Sequence, residues 1–198
     1  MAAHGAVEEH YTSTGLDNVK IAMWGFLGSE CLFFGSLIST YLLYRNNVLE
    51  GPKPHEIYDI PYTSVSSFVL LMSSVTMVLA LAAIQRGDHR GLRVWLLATA
   101  MLGMVFIGGQ IYEFTAFVDE GLKLSTSTFG SSFFVMTGFH GAHVTVGIFM
   151  LLCLVGMSAF GKLDVDGPRR VELVGLYWHF VDIVWIVIFT VVYLIPTN

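Results

Sequence analysis

Tyr177-Trp-His-Phe-Val-Asp-Ile-Val-Trp185 lies inside an apolar run from about Val171 to Ile195. That run is long enough to cross a bilayer, which takes about 20 residues. Yet His179 and Asp182 sit near its middle. A charged group at that depth costs about 2.5–3.5 kcal/mol on insertion scales. Such groups survive by facing other helices. Positions three apart share a helix face, so His179 and Asp182 are placed to bond each other. Trp178 and Trp185, seven apart, read as an aromatic packing stripe beside them.

The composition agrees with a membrane protein. Of 198 residues, 55% are hydrophobic and 13% charged. A soluble domain carries about 25% charged residues. The fold class expected is all-α: a polytopic bundle of five transmembrane helices. The helices are placed at about 19–44, 57–84, 92–117, 131–160 and 171–195, after a polar tail over 1–18. The net charge of -5 gives no basic surface for nucleic acid. Cys31 and Cys153 fall in apolar runs and read as small core residues without a disulfide framework. The first residues lack a basic segment followed by an apolar core, so no cleaved signal peptide is expected.

Five crossings put the two termini on opposite sides. The N-terminal side holds Lys20, Arg86, Arg90, Arg93, Lys162, Arg169 and Arg170, against Arg45, Lys53 and Lys123 on the other. The positive-inside rule then expects a cytoplasmic N-terminus in a bacterial plasma membrane.

Depth along each helix, at about 1.5 Å per residue, brings five polar residues to one level. These are Glu30, His140, His143, His179 and Asp182, expected to form an intramembrane polar network. Gln110 and Glu113 share a face nearer the outer end and form a second polar pair. The histidines allow three readings. Imidazole is a common metal ligand, but no Cys or carboxylate motif surrounds these residues, and His140 and His143 within one turn do not supply two axial ligands to a haem. Intramembrane acids also mark proton or ion paths. The third reading is a set of paired buried groups that fixes helix packing. A free-standing ion carrier would favour broken helices and inverted repeats, and neither is evident.

Four stretches resemble subunit III of the haem–copper respiratory oxidases. They are Ser29-Glu-Cys-Leu-Phe-Phe34, Gln110-Ile-Tyr-Glu113-Phe, Thr128-Phe-Gly-Ser-Ser-Phe-Phe-Val-Met-Thr-Gly-Phe-His-Gly-Ala-His143-Val, and the Tyr177–Trp185 stretch. They stand in family order from about residue 20 to 195. The resemblance implies a non-catalytic subunit with no metal of its own, the haem and copper lying on partner subunits. Subunit I is the implied main contact, with subunit II in the same complex and phospholipid bound between chains. It also implies support of proton uptake in a proton-pumping terminal oxidase. Ser29-Glu-Cys and Gly138-Phe-His lean toward cytochrome c as donor, with a bo-type quinol oxidase as the alternative. Two departures stand out. The longer family form has seven helices, and the two lacking here help build its lipid-holding cleft. Asp59 stands where the family often has Glu in Glu-Val-Pro, a possible lipid or proton-uptake carboxyl one methylene shorter.

Overall fold

A computed structural model describes residues 17–45, 60–122, 124, 127–163 and 167–195. These hold five long helices and no strand. They are α1 (Asn18–Tyr44), α2 (Ile60–Gln85), α3 (His89–Asp119), α4 (Thr128–Ala159) and α5 (Gly167–Phe189), which runs on into a π-helical turn, Thr190–Leu194. All five are long and apolar enough to cross a membrane. The fold is therefore an all-α bundle of five candidate spans.

Capping explains where the helices begin. The Asp17 carboxylate accepts from the Val19 amide at 2.9 Å. Asp88 accepts from the Arg90 and Gly91 amides at 3.1 and 2.9 Å. Ser127 Oγ accepts from the Gly130 amide at 3.0 Å. Each satisfies first-turn donors that have no partner inside the helix. So α3 and α4 start three residues before the hydropathy rise at Leu92 and Ser131. Likewise α5 begins at Gly167, and Pro168 fits its first turn. Its charged opening, Arg169-Arg170-Val-Glu172, reads as loop by hydropathy. The α2–α3 turn is closed by Gly87 at φ 76°. There the Asp88 amide donates to Ala83 and the Gly87 amide to Ile84, a Schellman motif that L-residues other than glycine resist. The region 57–59, where α2 was expected to start, lies outside the described residues.

The bundle has a centre and an edge. The α3 helix packs on α2 and α4, and α5 packs on α2 and α4. The α1 helix lies against α4 and more lightly against α5. Half of the α5 apolar window is buried (50%), against 11% for α1. Trp178 shows why α5 sits so deep. Its ring lies so close to α3 and α4 that a Cβ on Gly103 would stand 2.7 Å from it, and one on Gly147 2.8 Å. The two glycines make room for the indole ring, as small residues do at helix contacts in membranes. Ion pairs tie α1 and α5 at one end, Lys20 Nζ to Glu172 Oε1 at 2.7 Å and Arg169 Nε to Asp17 Oδ2 at 2.8 Å. At the other end Arg45 Nη2 donates to the Ile195 carbonyl at 2.9 Å.

Cys31 and Cys153 are both exposed on the bundle surface. This corrects their reading as core residues. Hydropathy does not separate a lipid-facing surface from a core, because both are apolar.

Candidate functional site

Polar side chains inside the bundle divide into separate groups. The first follows one face of α2. Thr63 Oγ1 donates to Glu113 Oε1 at 2.6 Å, and the same oxygen accepts from Tyr193 OH at 3.0 Å. One turn on, Ser67 Oγ accepts from Trp185 Nε1 at 2.8 Å. Ser73 Oγ accepts from Trp178 Nε1 at 2.9 Å. Ser74 Oγ donates to Asp182 Oδ2 and lies 2.9 Å from His179 Nδ1. A run of α2 hydroxyls thus holds both tryptophans, His179 and Asp182 of α5.

These hydroxyls were not singled out from the sequence. They change the reading of the His179–Asp182 pair: the two share a face, but Ser74 stands between them as common partner. Since Ser74 gives its proton to Asp182, its oxygen accepts from Nδ1–H of His179. With Asp182 as a carboxylate, the bonds run from His179 through Ser74 to Asp182.

The second group lies where α1 meets α4. Glu30 Oε2 is 3.2 Å from His143 Nε2, both about four-fifths buried. His143 Nδ1 is 2.7 Å from the Phe139 carbonyl. A carbonyl only accepts, so Nδ1 carries hydrogen. The Nε2–Oε2 contact then needs one more proton, which has two homes: the imidazole ring or the carboxyl group. Phe34 packs edge-on to His143 at 5.0 Å.

His140 belongs to neither group. Its ring is wholly buried, stacked on Trp185 at 4.9 Å and edge-on to Phe106 at 5.9 Å. Neither ring nitrogen has a hydrogen-bond partner among the described residues. So the five residues do share the interior but do not form one network. Spacing of three on α4 sends His140 to α5 and His143 to α1. Gln110 and Glu113 are both buried, yet they go to different partners. Glu113 serves Thr63 and Tyr193, while Gln110 Oε1 has no partner among the described residues and faces Gly141. Among the described residues no three His, Cys, Asp or Glu groups converge as metal ligands would. Asp59 lies outside the described residues.

A family model for cytochrome c oxidase subunit III matches residues 1–196. The chain belongs to that family. Relatives carry both donor names. The probable quinol oxidase subunit 3 of Staphylococcus saprophyticus is 40% identical over 177 residues, 89% of this chain and 88% of the relative. Quinol oxidase subunit 3 of Bacillus subtilis is 39% identical over 196 residues, 98% of this chain and 96% of the relative. Cytochrome c oxidase subunit 3 of a Bacillus species (strain PS3) is 38% identical over 189 residues, covering 96% and 91%. The subunit III family thus places this chain in a terminal oxidase, an oxidoreductase complex with further subunits.

What the two polar seams can do differs. Ser74, His179 and Asp182 form a short, directed chain of hydrogen bonds among packed helices. Glu30 and His143 form a pair that holds a single exchangeable proton near the edge of the bundle. The same edge carries two open apolar grooves. One, of about 210 Å³, is lined by Leu37, Thr40, Tyr44, Thr128, Ser131, Ser132 and Val135. The other, of about 290 Å³, runs along α4 past Val135, Gly138 and Phe139.

Proposed function

We propose that this chain is the non-catalytic subunit III of a proton-pumping quinol oxidase, stabilising subunit I, holding phospholipid and supporting proton uptake. The observation that carries the proton part is the Glu30–His143 contact, where one proton has two homes within 3.2 Å. Acidic and histidine side chains inside membranes are the groups from which proton relays are built. The lipid part rests on the apolar grooves beside it, which suit an acyl chain. Haem, copper and the oxygen chemistry belong in this reading to partner subunits I and II. The seven basic residues at the N-terminal end of α1 and its neighbours favour a cytoplasmic N-terminus.

Quinol is preferred as donor because two relatives named for it, at 40% and 39% identity, stand just above the relative named for cytochrome c at 38%. That outweighs the lean toward cytochrome c read from Ser29-Glu-Cys. Cytochrome c is the second reading, favoured by the relative of that name at 38% identity.

The test is purification of the tagged complex in mild detergent. A reduced-minus-oxidised spectrum should reveal haem in stoichiometric amount, and oxygen uptake should follow added quinol rather than reduced cytochrome c. Absence of haem-bearing partners would overturn the oxidase reading. Turnover on cytochrome c alone would transfer it to the second donor.

A further inference from the structure

The α5 helix is the most buried of the five, and much of what it leaves open falls on one face: Leu176, His179, Ile183, Ile186, Val187 and Thr190. The spacing of three and four residues keeps these on one face. The stripe lies between α1 and α2. On one side Phe34 and Phe26 of α1 meet Phe180 and Tyr177 of α5 at 6.4 and 6.3 Å. On the other side the α2 hydroxyls hold α5. Consecutive in sequence, α1 and α2 themselves form no packed pair. The open face of α5 therefore lies between two helices that do not pack closely on each other.

Its polar centre is His179, near the middle of the 28-residue span. Nδ1–H is committed to Ser74, as the donor direction into Asp182 requires. The neutral ring therefore presents Nε2 as a bare acceptor. That nitrogen has no hydrogen-bond partner among the described residues, and the ring is only half-buried. Ile183, one turn on, is 60% exposed. Leu71 and Val78 of α2 share the face of Ser74 and are exposed too. In hydrocarbon an acyl chain cannot satisfy a ring nitrogen, and no water solvates it there.

We propose that the open stripe of α5 centred on His179 is the docking surface for one transmembrane helix of a partner subunit, a helix that carries a hydrogen-bond donor opposite Nε2. Apolar contact along Leu176, Ile183 and Ile186 supplies the packing, and the donor sets register. The occupant's donor is a hydroxyl, amide, indole or cationic side chain. This rests on the proposed oxidase reading, since it needs a membrane partner.

The test uses the assembled, tagged complex with a benzophenone amino acid at Ile183 and, as control, at Leu32 of α1, which is 79% exposed. The expected result is an adduct from position 183 to one transmembrane peptide of a partner subunit, with a donor side chain within a turn of the attachment. Lipid adducts alone, or adducts to a second copy of this chain, would overturn the inference while a haem-bearing complex leaves the oxidase reading standing. Failure to recover any haem-bearing complex removes both. Two substitutions read the same surface. His179→Gln keeps an acceptor and should retain the partner, whereas His179→Phe should lower its retention about threefold, the factor an average interhelical hydrogen bond supplies in a membrane. Ile183→Trp blocks the stripe without touching Ser74 or Asp182. It should release the partner while the chain stays in the membrane, and full retention in that variant also overturns the proposal.

Discussion

The α2–α5 seam and the α1–α4 seam both carry a carboxylate with a histidine, and they are built differently. At α2–α5, Asp182 is buried and takes a hydrogen bond from Ser74, with Trp178 and Trp185 anchored on the same helix by Ser73 and Ser67. At α1–α4, Glu30 meets His143 directly, and only about a tenth of the α1 window is buried (11%). The first seam runs its hydrogen bonds through Ser74, between His179 and Asp182. The second keeps a proton that can sit on either partner. One arrangement joins two helices through an ordered chain of bonds, and the other joins them through a single shared proton.

If that contrast is right, damage at α2–α5 should unfold the chain, and the largest effect should come at Trp178. Removing the ring in Trp178→Ala leaves a cavity between Gly103 and Gly147, at a cost of about 3–5 kcal/mol. Gly147→Ala fails from the opposite side, because its Cβ would lie 2.8 Å from a ring with nowhere to move. Overpacking of this kind costs about 1–3 kcal/mol. Both variants should lose heat resistance in membranes, followed by loss of chain. Equal melting of Gly147→Ala and the parent would mean that the crossing is looser than described.

Next in size are the polar members of that seam. Asp182→Leu leaves Ser74 and His179 without their terminal acceptor, a loss of about 1–3 kcal/mol. Asp182→Asn keeps an oxygen for Ser74 and should cost less. Ser74→Ala should fall near about 1 kcal/mol, and its double mutant with Asp182→Asn should be less than additive, since the two share one chain of bonds. Additive losses, measured by detergent-induced dissociation of the complex, would argue that Ser74 and Asp182 act apart.

Much of this architecture is legible in the sequence because membrane helices advertise themselves by length and hydropathy. Five apolar runs gave five helices, and the polar residues within them stood out against that background. The α2 hydroxyls did not stand out. Serine and threonine are tolerated in any membrane helix, since they bond back to their own carbonyls. Ser64 does so with the Ile60 carbonyl and is exposed, whereas Ser67, three residues on, also receives Trp185. The residue type is the same, and only the face differs. The one available signal was the spacing of Thr63, Ser67, Leu70, Ser74 and Met77, which marks one face. For the same reason the cysteines were misplaced and His140 was grouped with His143. Hydropathy reports depth in the bilayer but not the direction in which a side chain points.

The smallest change in stability should come at Glu30, and there the contrast between seams is sharpest. The Glu30→Gln amide can still donate to His143 Nε2, because Nδ1–H remains with the Phe139 carbonyl. One hydrogen bond replaces another, so stability should change by less than about 1 kcal/mol. The amide cannot release its proton, however. Proton uptake by the intact complex, followed with a pH dye on a single turnover, should slow while haem content stays normal. Glu30→Leu removes the partner altogether, leaves Nε2 unpaired, and should reduce both assembly and uptake. Three outcomes then separate the roles. Slow uptake in both variants with lost assembly only in Glu30→Leu is the result expected of an exchangeable pair. Equal loss of assembly in both would make Glu30 a packing residue whose charge matters. Normal uptake in Glu30→Gln would show that the proton held between Glu30 and His143 is not the one that moves, and the α1–α4 seam would then be structural like its counterpart on α2 and α5.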